Sequence, residues 1–184
     1  MGYDAALDKA WKDVRAKAGG CKSCSVRFFS DTYLIDIPSG RIVQSDRGVP
    51  AKDFAAILVL HYLARSFDGL PPLSGQWISF KELPGGESYY PAYRKRAIDP
   101  IIRKYGRDPA ALLSKARSSA AVPAGQADAA VIVGSFDSIP LMIKVWGGDD
   151  EFAADANILF DKNITAVFCT EDIAVLAGFI GKYV

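Results

Sequence analysis

Residues 50–67 carry Phe54, Ile57, Leu58, Val59, Leu60, Tyr62 and Leu63, an apolar surface that runs almost all the way round a helix. Such a helix is stable in water only when other elements cover it on nearly every side. The fold must therefore be built around this segment. Asp53 stands in its first turn, and Gly69 with Pro71 and Pro72 closes it. Its longest uninterrupted apolar run, Phe54 to Leu60, is at most half of the ~18 residues that a bilayer crossing needs, so protein and not lipid should cover it.

The rest of the chain supplies the cover. Residues 3–18 repeat apolar positions at steps of three and four and predict an amphipathic helix, stopped by Gly19-Gly20. Short strands are expected at 25–30, 32–37 and 41–44, with a turn at Pro38-Ser39-Gly40. Residues 77–80 read as extended. Ser88 suits the N-cap of a helix over 89–105, with Pro91 in its first turn and Pro100 dividing it. Asp108-Pro109 opens a further helix toward residue 118. Residues 118–128 (SSAAVPAGQAD) read as an exposed, flexible loop. Strands over 129–136 and 140–146 flank a hairpin turn at Asp137-Ser138, and edge strands are expected at 158–160 and 165–168. Thr170-Glu171-Asp172 caps a last helix over 173–182. Strands and helices are segregated, not alternating. The expectation is an α+β fold, a largely antiparallel sheet packed against helices, with the helix near residues 50–67 buried at its centre.

The chain has 184 residues, which is the size of one domain, so residues 1–184 are read as a single globular unit. Half the residues are apolar and the formal charge is +1, with acids and bases interleaved. That balance gives no footprint for nucleic acid or for an anionic membrane. The N-terminal residues lack the apolar core of a signal peptide, and Ala6 breaks a myristoylation pattern after Gly2. Three cysteines are an odd count for a disulfide framework, and the expected compartment is the reducing cytoplasm.

Four groups of residues have types and spacings that bear on chemistry. Cys21-Lys22-Ser23-Cys24 places two thiols at a spacing that can share a metal or form a redox disulfide, but it follows a helix instead of opening one, and Cys169 and one histidine are too few to complete a four-ligand site. His61 is the sole histidine and lies inside the apolar helix, as a ligand contact, an acid–base group or a satisfied core imidazole. Asp149, Asp150 and Glu151 follow an apolar strand, with Asp161 nearby; carboxylates so dense can hold a divalent cation, share acid–base work, or form a solvated turn. Gly85-Gly86-Glu87-Ser88 leads into a helix bearing Arg94, Lys95 and Arg96, where backbone amides can meet a phosphate, although Glu87 opposes an anion. Trp77, Tyr89, Tyr90 and Trp146 are aromatic surface for a pocket or for the core. The chain has no nucleophile elbow, dinucleotide fingerprint, HExxH or corrinoid-binding DxHxxG, and no cofactor is specified.

Taken together, several phrases are similar to one family. They are Leu60-His61-Tyr62-Leu63, Trp77-Ile78-Ser79-Phe80-Lys81-Glu82-Leu83-Pro84-Gly85-Gly86, Tyr89-Tyr90, Trp146-Gly147-Gly148-Asp149-Asp150-Glu151-Phe152, Leu159-Phe160-Asp161, and Thr170-Glu171-Asp172-Ile173-Ala174-Val175-Leu176. The combination resembles the uncharacterised family known as domain of unknown function 3786, over nearly the whole chain and most clearly from about residue 50 onward. The resemblance carries no activity. It implies an anaerobic setting close to iron–sulfur and corrinoid-dependent one-carbon metabolism. The Cys21–Cys24 pair stands outside the family pattern.

The leading expectation is therefore a small-molecule or cofactor-binding accessory protein. His61, Trp77, Tyr89, Tyr90, Arg94 and Trp146 would contact the ligand, and Asp149, Asp150, Glu151 and Asp161 would orient a polar end. One alternative is an enzyme in which those four carboxylates hold a divalent metal. The other is a protein-interaction module with an exposed apolar patch.

Overall fold

The computed structural model describes residues 3–115, 120–121 and 126–184, and it is an α+β arrangement of two antiparallel sheets and six α-helices among those residues. Helix α1 (Asp4–Lys17) precedes a meander of β1 (Ser23–Phe28), β2 (Asp31–Asp36) and β3 (Arg41–Gln44), ordered β1-β2-β3. Helix α2 (Asp53–Asp68) follows, then strand β4 (Trp77–Ser79) and a 3-10 turn, Phe80–Glu82. Helices α3 (Gly86–Tyr93) and α4 (Asp99–Tyr105) are joined by a π-helical turn, Arg94–Ile98, and α5 (Ala110–Lys115) comes next. Strands β5 (Ala120–Ala121), β6 (Ala129–Phe136), β7 (Ile139–Trp146) and β8 (Asp155–Asp161) complete the second sheet, ordered β4-β8-β7-β6-β5, and helix α6 (Thr170–Tyr183) ends the chain.

The apolar segment is the central helix. Nine residues of α2, from Ala55 to Ala64, are buried, Val59 and Leu60 completely. Strand β7 alternates buried and half-buried positions, so Leu141, Ile143 and Val145 face the core, as a sheet with one covered face requires. An aromatic cluster links the two sheets to the helices. Phe136 stacks between Phe28 at 4.7 Å and Tyr62 at 4.5 Å, and Phe179 meets Phe28 edge-on at 5.0 Å. The backbone ties the sheets as well: Phe29 N–H donates to the Ser135 carbonyl. Tyr62 Oη donates to the Asp137 carbonyl, and Arg27 holds the Asp137 carboxylate from 2.8 Å. No helix among the described residues is long and apolar enough to cross a membrane.

Local side-chain chemistry moved several expected boundaries. The strand expected at 158–160 spans Asp155–Asp161, and the one expected at 165–168 is instead a 3-10 turn, Lys162–Ala166. Asp161 causes this, because its carboxylate accepts Asn163 N–H and bends the chain out of the sheet. Ser88 is not an N-cap. Gly85 takes that position with φ 72°, because Ser79 and Glu82 have already closed a capping box on the preceding turn. Pro100 divides the long helix without breaking it. It has no N–H to give to the previous turn, and the wider π-helical turn, where Asp99 N–H reaches back to the Arg94 carbonyl, absorbs the mismatch. The last helix is capped at Cys169, since the Thr170 hydroxyl donates to the Pro84 carbonyl instead. The expected loop over 118–128 lies largely outside the described residues, but within it Ala120–Ala121 pair with Val131 and Ile132 as an edge strand.

Candidate functional site

A cavity of about 720 Å³ opens where β2, the β3–α2 connection, the start of α2, the π-helical turn and the last half of α6 meet. Its floor follows from the aromatic cluster. Phe54 at the start of α2 and Phe179 on α6 touch at 5.5 Å, and Tyr33 rises from β2 beside them. Its rim is apolar and open: Tyr3, Val49 and Phe54 are among the few large apolar side chains that the described surface exposes.

Its charge is one-sided. Arg47, Lys52, Arg96 and Lys182 line it against a single carboxylate, Asp31. Each cation has a local reason to be there. Lys52 is the residue before α2, whose N-terminus has no side-chain cap, so the positive end of the helix dipole adds to the lysine. Arg96 sits in the π-helical turn, and its stem crosses α6 at Gly178, where an added Cβ would stand 2.9 Å from Arg96 Cγ. The same turn sends Arg94 elsewhere, to Asp99 and Asp155 at 3.3 Å each. Among the described residues neither Lys52 nor Arg96 has an ion-pair partner.

Asp31 is delivered by a strained turn. Phe29, between β1 and β2, holds φ 53°, a left-handed conformation that costs a non-glycine residue about 1–2 kcal/mol. Two contacts hold it there, the bond to Ser135 and a parallel stack of its ring on Tyr183 at 4.4 Å. Asp31 Oδ2 then accepts the Tyr183 hydroxyl at 2.6 Å and stands 3.8 Å from Lys182 Nζ. Burial, reinforced by the Asp31 charge, pushes the Tyr183 hydroxyl well above the ordinary tyrosine range. Burial and Asp31 also raise Tyr33. Both phenols therefore stay protonated; the Tyr183 proton is spent on Asp31, and Tyr33 alone of the two lines the cavity.

The residues picked from the sequence distribute over other places. His61 Nδ1 donates to Asp172 Oδ2 at 2.8 Å, bridging α2 to α6, with the imidazole 31% exposed. Phe54 and Phe179 make the same helix-to-helix contact seven residues away on each helix, so His61 lies on the seam that leads from the cavity, about 10 Å along it. Tyr90, Arg94 and Trp146 do not line the cavity. Arg94 reaches Asp155, whose register partner is Trp146, and Tyr90 carries Lys81 4.5 Å over its ring. Trp146 Nε1 donates to the Gln126 carbonyl. Tyr89 packs on Phe80 at 6.3 Å, and Trp77 pairs with Asp161 in the β4–β8 ladder.

The four carboxylates do not converge. Asp149 closes its own turn by accepting Glu151 and Phe152 N–H, which holds its carboxyl below the usual range, and Asp150 and Glu151 are exposed beside it. Asp161 is buried at the far end of β8 and spends both oxygens on Ser74, Gly75 and Asn163. Among the described residues no three histidine, cysteine or acidic side chains are grouped closely enough to hold a metal ion. Burial, with Cys21 beside it, pushes the Cys24 thiol up to about 11, which suits an inert thiol more than a nucleophile.

Sequence reasoning passed over the cavity because its cations come from three segments far apart in the chain. Arg96 alone stood in a basic run that drew attention, and no spacing rule joins it to Arg47, Lys52 or Lys182.

A model of the family described as Domain of unknown function (DUF3786) matches residues 7–183. No curated protein and no solved structure matches the chain.

Proposed function

The chain belongs to the DUF3786 family, whose description carries no activity, and on its own geometry we propose that it binds a small molecule in the cavity between α2, α6 and the three-stranded sheet. The observation behind this reading is the combination of volume and lining. A space of about 720 Å³ is within the range of small-molecule sites, and an apolar wall with a few convergent polar groups is how such sites are built. The strained Phe29 turn beside it supports the same reading, since such strain gathers where function maintains it. The family resemblance adds a setting near anaerobic, corrinoid-linked one-carbon metabolism, in which the chain would serve as an accessory binder.

Nile red, a neutral dye that brightens in apolar surroundings, tests the reading. The protein is expected to bind it, and Phe54→Asp to weaken binding about tenfold or more, because Phe54 forms floor and rim and is exposed enough to replace without unfolding. Phe152→Asp, at an apolar residue 70% exposed and outside the cavity, is expected to leave it unchanged. Equal binding by wild type and Phe54→Asp would remove the cavity as the site.

A further inference from the structure

We infer that the ligand of this cavity is an organic phosphate, a phosphoryl group attached to an apolar or planar body. The inference rests on the binding reading above and adds the ligand's chemistry to it. Four cations from three segments of the chain face one space, and the single carboxylate among them, Asp31, is already engaged by Tyr183 and Lys182. A neutral ligand would leave that surplus of positive charge partly desolvated, and a single carboxylate would answer only part of it. A phosphoryl group brings about two negative charges and three strong acceptor oxygens.

The donors suit it. Arg96 offers a planar fork, and Lys52 a point charge at the open N-terminal end of a helix of 16 residues. Arg47 adds a second fork from the β3–α2 connection; its one ion-pair partner among the described residues is exposed Asp46 at 3.5 Å. Phe54, two residues after Lys52 with Asp53 between them, gives the apolar body a wall near the charge. Gly178 is a positioning residue in this arrangement. Any side chain there would displace the Arg96 stem, which lies within 3.0 Å of where a Cβ would be.

Calorimetric titrations with phenyl phosphate, pyrophosphate and citrate test the assignment, with Nile red as the control for the cavity itself. Phenyl phosphate is expected to bind more tightly than either pyrophosphate or citrate and to be weakened by added salt. Arg96→Gln, and independently Lys52→Gln, should weaken it tenfold or more while leaving Nile red binding intact. Gly178→Ala should act in the same direction as Arg96→Gln, and the two together should cost no more than Arg96→Gln alone. Citrate binding without phenyl phosphate binding would overturn the phosphate assignment, as would phenyl phosphate affinity unchanged in both charge variants. In those cases Nile red binding would still stand for the cavity; loss of Nile red binding by the wild type would overturn both.

Discussion

Gly86→Ala is expected to cost the protein more than about 3 kcal/mol, a large part of the stability of a typical domain. The backbone at Gly86 has ordinary dihedrals, so the reason is space. A Cβ built there would stand 1.9 Å from the Phe80 carbonyl oxygen and 3.0 Å from its carbon. Both are main-chain atoms, so no rotamer change relieves the clash, and either the 3-10 turn or the start of α3 must move. Phe80 cannot follow freely. Its ring is fully buried and stacked on Tyr93 at 3.8 Å. The close approach exists because Gly86 N–H donates to the Leu83 carbonyl, folding α3 back over the turn. Denaturant unfolding measures the effect, and a loss under about 1 kcal/mol would mean that α3 does not start against Phe80 as described. The substitution is far from Arg47 and Lys52 in the chain, so it separates folding from the charge of the site.

Asp161→Ala is expected to cost about 3 kcal/mol through a different mechanism. The residue is 6% exposed, and its carboxylate accepts Asn163 N–H at 2.9 Å, Gly75 N–H at 3.0 Å, and both the N–H and hydroxyl of Ser74. Alanine would leave three backbone donors short of a partner, each worth about 1–3 kcal/mol if it stays dry. Burial alone would raise this carboxyl, but the donated bonds outweigh it and hold the group below its ordinary value. The sign of the pH effect follows. A carboxyl depressed in the folded state contributes stability that is present above its unfolded pKa of about 3.9 and is lost as the pH falls through the lower folded value. The stability gap between wild type and Asp161→Asn should therefore be constant above about pH 5 and shrink as the pH approaches 3. A gap independent of pH over that window would show that the carboxylate is not what these donors require.

The Asp161 case also shows why the site was less legible than the fold. An acid near other acids suggests a shared cation, yet the partners of Asp161 are the backbone amide of Asn163 and the amides of a loop some 86 residues earlier. The elements could be read because their signals are local. The period of apolar residues marked α1, the nearly continuous apolar surface marked α2, the Thr170-Glu171-Asp172 cap marked α6, and Asp137-Ser138 marked the β6–β7 turn. Errors fell where one side chain redirected the backbone, as at Asp161, whereas the division expected at Pro100 is there, made by a π-helical turn. The cavity is non-local throughout. Phe29, an apolar residue in a left-handed turn, gives no sequence warning of its strain, since glycine or asparagine is the usual sign. His61 was marked by its chemistry, but Asp172, which fixes its Nδ1, belongs to a helix more than a hundred residues away.

The central claim is that ligand binds between α2 and α6, and mapping the backbone amide resonances of the labelled protein during titration with phenyl phosphate tests it most directly. The account predicts that the signals of Lys52, Phe54 and Ala55 at the start of α2, and of Val175, Gly178 and Phe179 on α6, shift together with one saturation curve. Shifts confined to residues outside the cavity, such as Tyr90, Arg94 and Trp146, or an unperturbed spectrum at saturating probe, would contradict it.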